Sequence, residues 1–113
     1  MHRVDIERTS GVVLITARGE LDAFAAPDLS RALREVGLGE GLVVDLQAVS
    51  FLDSTALGVV VRTLREVEER GDVSRIVLPN GAARRIFEIT TLDRALPVEA
   101  TLDQALAAVT PPA

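Results

Sequence analysis

Three segments in succession decide the fold: Leu42-Val43-Val44-Asp45-Leu46, then a stretch from Ser54 in which Leu57, Val60, Val61, Leu64 and Val67 recur, then Ile76-Val77-Leu78. The first is short and almost continuously apolar, as expected of a central strand buried on both faces. The second has the 3.6-residue period of an amphipathic helix, with Arg62, Arg65, Glu66 and Glu69 on its opposite side and Gly71 as its stop. The third is a strand closed by Pro79-Asn80-Gly81. Strand, helix and strand in that order predict a right-handed crossover joining two parallel strands.

The flanks extend this unit. Val12-Val13-Leu14-Ile15-Thr16-Ala17 is rich in β-branched residues and follows the turn signal Ser10-Gly11, so it reads as a strand paired in a hairpin with one over Arg3 to Glu7. After Gly19-Glu20-Leu21-Asp22, Pro27 suits a first helical turn, and Leu29, Ala32, Leu33 and Val36 take helical spacing up to Gly37 and Gly39. Gln47 to Asp53 reads as a loop. Ala82 to Ile89 reads as a helix burying Ile86, Phe87 and Ile89, followed by a short strand near Ala95 to Val98 and a last helix, Leu102 to Val109. The expectation is an α/β fold: one domain over residues 1–110, with a mixed sheet, an N-terminal hairpin and about four covering helices, and a frayed tail over 111–113. Such sheets carry function in the loops beyond the carboxyl ends of their strands, here Glu20 to Pro27 and Val49 to Thr55.

Composition narrows the function. A chain of 113 residues, 48% hydrophobic, holds one real core. The lack of cysteine removes disulfides and thiolate metal sites and fits a cytoplasmic protein, and the charged, alternating N-terminus does not read as a signal peptide or membrane span. Twelve Lys and Arg against 17 Asp and Glu give a net charge of −5, and the only aromatics are three Phe. That surface repels phosphate backbones and offers few stacking platforms, which argues against nucleic acid as a partner.

The catalytic reading fares poorly. Ser54 as a nucleophile needs a base, and the only histidine, His2, is expected at a mobile terminus. Asp22, Asp45 and Asp53 lack the dense oxygen spacing of a calcium loop, and no glycine-rich phosphate cradle follows any strand, so no metal and no cofactor are expected. What remains is Val49-Ser50-Phe51-Leu52-Asp53-Ser54-Thr55-Ala56-Leu57-Gly58. Asp53 or Ser54 caps the following helix, a duty worth about 1 kcal/mol. The alternative is that the Ser54 hydroxyl is presented at the helix start for modification, where a phosphate adds about −1.5 to −2 of charge. Asp22 reads either as a loop aspartate accepting backbone N–H bonds or as a recognition residue. Arg84 and Arg85 read as a solvated helix face or a basic partner patch.

Three stretches together resemble the STAS family, and within it the bacterial anti-sigma factor antagonists. They are Gly19-Glu20-Leu21-Asp22 with Ala26-Pro27, then Val44-Asp45-Leu46 with Val49 to Gly58, then Arg85-Ile86-Phe87-Glu88-Ile89-Thr90 with Leu92. The resemblance implies a non-catalytic partner switch. In the family the serine after the aspartate, here Ser54, is phosphorylated by a partner that is both anti-sigma factor and serine protein kinase. The unphosphorylated protein captures that partner and frees a sigma factor, until phosphorylation ends capture and a protein phosphatase restores it. The resemblance also places Asp22, Asp53, Ser54, Thr55 and Ala56 at the partner contact and implies a cytoplasmic monomer or weak dimer. Its alternative is a scaffold subunit of a stressosome-like or transporter-associated assembly. Two residues depart from the family pattern: Ala56 and Thr91 stand where glycine is usual.

Overall fold

The computed structural model describes residues 1–111. Five strands form one sheet in the order β1-β2-β3-β4-β5: β1 (His2–Thr9), β2 (Val12–Leu21), β3 (Gly41–Leu52), β4 (Ser74–Val77) and β5 (Val98–Glu99). β1 and β2 are antiparallel, and every later pair is parallel. The hairpin turns on Ser10 (φ 51°) and Gly11 (φ 81°), the consecutive left-handed residues that match the twist of a two-residue connection. The helices are α1 (Ala26–Leu33), α2 (Ser54–Glu69), α3 (Arg85–Ile89), α4 (Leu92–Ala95) and α5 (Leu102–Val109).

Alternation along β2 and β3 divides the core in two. Val13, Ile15 and Ala17 with Leu42, Val44 and Leu46 join the face covered by α1 and α2, where Leu29, Leu57, Val60, Leu64, Val67 and Phe87 complete the larger cluster. Val12 and Val43 face the other way, onto Val77, Ala105 and Val109 beneath α5. With both sides covered, Leu42 to Leu46 is buried throughout and apolar at every position but Asp45, which is why the run reads as almost continuous.

Several expectations need correction. Gln47 to Leu52 is strand, not loop: β3 continues beside β2 through Leu52 with two register shifts, one after Thr16 and one after Gly19. Each leaves one extra residue on β3, so the period of two breaks and the pattern resembles a loop. Asp45 serves the first of these, its Oδ1 accepting from the Gln47 N–H at 3.0 Å. The two functional loops are correspondingly shorter, since β2 runs to Leu21, α1 begins at Ala26, and Asp53 alone separates β3 from α2. α1 ends at Leu33, with Val36 still buried just beyond it in a tightened turn. Between 81 and 89 a 3-10 turn (Gly81–Arg84) precedes α3, and only Phe87 of the three expected apolar residues is fully buried. Ile86 is half-buried, and Ile89 is 77% exposed because so short a helix turns it off the core side. The short strand expected near Ala95 to Val98 is present but lies later, as the two residues of β5, and a helical turn, α4, precedes it. The α-helices number five among the described residues, in keeping with the expectation of about four. The frayed tail falls largely outside the described residues, which end at Pro111.

Candidate functional site

Leu21 and Leu52 are direct partners at the ends of β2 and β3, and both are buried. The next residue of each strand, Asp22 and Asp53, therefore leaves the same edge of the sheet side by side. The backbone fixes the junction: the Asp53 N–H donates to the Leu21 carbonyl at 3.0 Å. Gly19, two residues before Leu21, allows the N-terminal strand to close over this edge. It has φ 79°, and a Cβ there would lie 2.3 Å from the Met1 carbonyl oxygen, which accepts from the Glu20 N–H.

Each aspartate organises the helix that follows it. Asp22 Oδ1 accepts from the N–H groups of Phe24 (3.0 Å) and Ala25 (3.1 Å), shaping the turn into α1. Asp53 is the N-cap of α2: its backbone is extended, and its Oδ1 accepts from the Ala56 N–H at 2.9 Å. Capping thus falls to Asp53, and Ser54 becomes the first helical residue. The Oδ2 of each aspartate makes no hydrogen bond to a described residue.

Ser54 and Thr55 are exposed, and the Ser54 hydroxyl is bonded to no described residue. Ala56, by contrast, is fully buried in the larger core cluster. The structure thus brings Asp22, Asp53, Ser54 and Thr55 to one edge and removes the Ala56 methyl from any contact surface. An alanine at this position adds core and helix propensity without obstructing an approach from solvent.

His2 is not at a mobile end. It lies in β1, and its Nε2 is 2.7 Å from Asp28 Oδ2 on α1. That hydrogen bond, together with Arg31 at 3.2 Å, holds the Asp28 carboxyl below its ordinary range. The imidazole is engaged there rather than with Ser54. Two exposed aromatics near the edge escape a sequence reading: Phe24 (87% exposed), two residues after Asp22, and Phe51 (49%), two before Asp53. The available signal was Phe24 standing outside the α1 apolar stripe. Phe51 gave none, because its segment read as a loop. Arg84 and Arg85 are exposed and form no ion pair with a described residue.

A mixed sheet that presents a free serine and two backbone-bound aspartates at the carboxyl ends of adjacent strands defines a small docking domain. The model of the STAS domain family matches residues 3–105, and the chain belongs to that family. It is 40% identical, over 76% of its length and 77% of the relative's, to an anti-sigma-B factor antagonist of Listeria monocytogenes. It is 31% identical, over 86% and 90%, to the anti-sigma-B factor antagonist of Bacillus subtilis. In structure it is similar to an anti-sigma factor antagonist from Mycobacterium paratuberculosis, with a TM-score of 0.82, 34% identity, and 96% and 94% of the two chains covered.

Proposed function

We propose that the chain is an anti-sigma factor antagonist that works by a phosphorylation-controlled partner switch, with Ser54 as the phosphoacceptor. Unphosphorylated, it binds an anti-sigma factor that is also a serine kinase, and so frees a sigma factor. Phosphorylation of Ser54 ends binding, and a phosphatase reverses it. The chain acts by docking and not by catalysis, and its place is the cytoplasm with its partners. No described helix is long and apolar enough to cross a membrane. The observation that carries the reading is the exposed, unbonded Ser54 hydroxyl beside two carboxylates whose positions the backbone holds.

The electrostatics favour this assignment. At the first position of a 16-residue helix a phosphate gains roughly 0.3–1 kcal/mol from the helix dipole, so the fold tolerates it. Within an interface that already contains Asp22 and Asp53, its added charge brings like-charge repulsion and desolvation. A loss of about 3 kcal/mol weakens affinity more than a hundredfold.

The test begins with recovery of the anti-sigma factor that co-purifies with the chain from its own cells, identified by mass spectrometry. Incubation of the pair with ATP should place phosphate on Ser54. Ser54→Ala should bind constitutively and resist phosphorylation, while Ser54→Asp should fold normally and bind poorly. Phosphate found only elsewhere, or equal affinity before and after Ser54 modification, overturns the proposal. Stable binding with no phosphorylation at all favours the scaffold role instead.

A further inference from the structure

The sheet has one blunted edge and one open edge. β5 is two residues long, whereas β1 runs for eight and pairs with β2 alone among the described residues. Its register is continuous from His2↔Gly19 to Thr9↔Val12, with no bulge and no proline. A long regular edge of that kind is a ready template for another strand. The Met1 carbonyl bonds inward, to the Glu20 N–H, and Thr9 faces Val12 across the two-residue turn. Odd-numbered residues of β1 therefore direct their backbone groups to β2, and His2, Val4, Ile6 and Arg8 turn theirs outward. Ile6 is 40% exposed along this edge, beside a cleft of about 530 Å³ between β1 and α1 that His2 and Val4 also line.

We propose that two copies of the chain pair antiparallel through β1, about a two-fold axis between their Val4 residues, and so continue the sheet from one copy into the other. The charge order of β1 selects this occupant and this register. Outward groups on even residues pair even with even and odd with odd, so a two-fold axis sets one residue against itself. An axis at Arg3, Asp5 or Glu7 opposes that charge to its own copy, and an axis at Ile6 opposes Asp5 to Glu7 twice. At Val4 each Arg3 stands directly opposite Asp5 of the second copy, Val4 meets Val4, and His2 lies across the exposed Ile6. Opposite charges facing across two strands stabilise the pair, and like charges there destabilise it. Arg3 has a use for the second carboxylate. It is the direct partner of Arg18 in β2, a like-charge pair, and only its Nε reaches its own Asp5, at 2.9 and 3.2 Å. Its terminal N–H groups have no described partner. The two-fold axis also points the carboxyl ends of the two β2 strands in opposite directions, so both Ser54 edges stay open and the pairing does not depend on the partner-switch reading.

Sedimentation equilibrium of the full chain over a concentration series, with backbone hydrogen exchange, is the test. The parent should show a weak monomer–dimer equilibrium, held by about six backbone bonds and two exposed ion pairs, and exchange at Val4 and Ile6 should slow as dimer accumulates. Ile6→Pro removes an outward N–H that β2 does not use, so it should stay monomeric. Arg3→Glu and Asp5→Arg should each weaken self-association about tenfold. The double variant Arg3→Glu/Asp5→Arg exchanges the charges within each facing pair and should restore the parent's association, which keeps the test decisive even where Ile6→Pro loses stability. A parent that stays monomeric at every concentration overturns the proposal. So does a dimer that neither single reversal weakens, or that the double variant fails to restore, since it then uses another surface or register. If the parent is monomeric and added anti-sigma factor slows exchange at Val4 and Ile6, the edge receives a strand of that partner and the proposal is likewise overturned.

Discussion

Replacing Asp53 separates what its carboxylate does for the fold from what it does for a partner. Its Oδ1 accepts from the Ala56 N–H at 2.9 Å, and Ala56 is fully buried, so removing the acceptor leaves a poorly solvated amide at the start of α2. Asp53→Ala should therefore cost about 1–2 kcal/mol, the upper part of the usual range for a lost N-cap. For a domain of about 100 residues that lowers Tm by roughly 4–8 °C per kcal/mol. Asp53→Asn keeps an oxygen in the same place and ranks with Asp as a cap. It loses only part of the charge–dipole attraction and should cost less than half as much. The Asp53 N–H bond to Leu21 is a backbone bond, so both variants retain it. Thermal melts of the three proteins, with the Kd of each for the anti-sigma factor, read the two roles independently. Under the partner-switch reading Asp53→Asn binds as weakly as Asp53→Ala while melting close to the parent. If Asn lowers Tm as far as Ala does, capping is not what the side chain supplies. If both variants bind like the parent once corrected for folded fraction, the carboxylate is only a cap.

Two further outcomes follow from local geometry. Thr91 adopts φ 58° and ψ 16°, a left-handed conformation that costs a β-branched residue about 1–2 kcal/mol. Thr91→Gly should gain on the order of 0.5–1 kcal/mol after glycine's greater loss of chain entropy, and Thr91→Ala should gain little, so a Tm for Thr91→Gly below the parent's contradicts the strain argument. Acid stability depends on three carboxyls held below their ordinary values. These are Asp28 by the His2 hydrogen bond, Glu40 by Arg8 and then the Gly37 N–H, and Asp72 by Arg70 and then the Gly39 N–H. A carboxyl whose folded pKa is depressed stabilises the fold above its unfolded value and loses that contribution as the pH falls. Tm should therefore hold at neutral pH and decline below about 4.5, more gently in Glu40→Gln, and a Tm independent of pH down to about 3 removes the claim.

The central unit was legible because local pattern and tertiary environment agree. Leu42 to Leu46 is apolar at all but Asp45 since α2 and α5 cover opposite faces, and the Leu57-to-Val67 stripe is the face that α2 buries. Ser54, Asp22 and Asp53 were legible as residues, but their adjacency depends on the Leu21–Leu52 register, a long-range pairing that no local period reports. The end of β3 was misread because two extra residues break its alternation. Ile89 was misassigned for a related reason. A five-residue helix has too few turns for periodicity to determine its buried side, which is set instead by its neighbours, the 3-10 turn and α4. His2 was read as mobile because its partner, Asp28, lies 26 residues away.

The geometry also bears on how a phosphate at Ser54 would act. A switch can work by rearranging its backbone or by changing the charge on a fixed surface. Here the hydrogen bonds that shape the edge are already made: Asp22 serves Phe24 and Ala25, Asp53 serves Ala56, and the Asp53 N–H serves Leu21. None involves the Ser54 hydroxyl, so esterifying it breaks no bond that holds either turn. The added charge of about −1.5 to −2 meets two carboxylates whose second oxygens have no described partner, in a place the surrounding backbone cannot vacate without losing those bonds. A fixed surface carrying that much negative charge has little means of screening it except water, and water is what a bound partner excludes. The cost therefore falls on the complex and not on the free protein, which is how a single phosphate can abolish docking while leaving the fold intact.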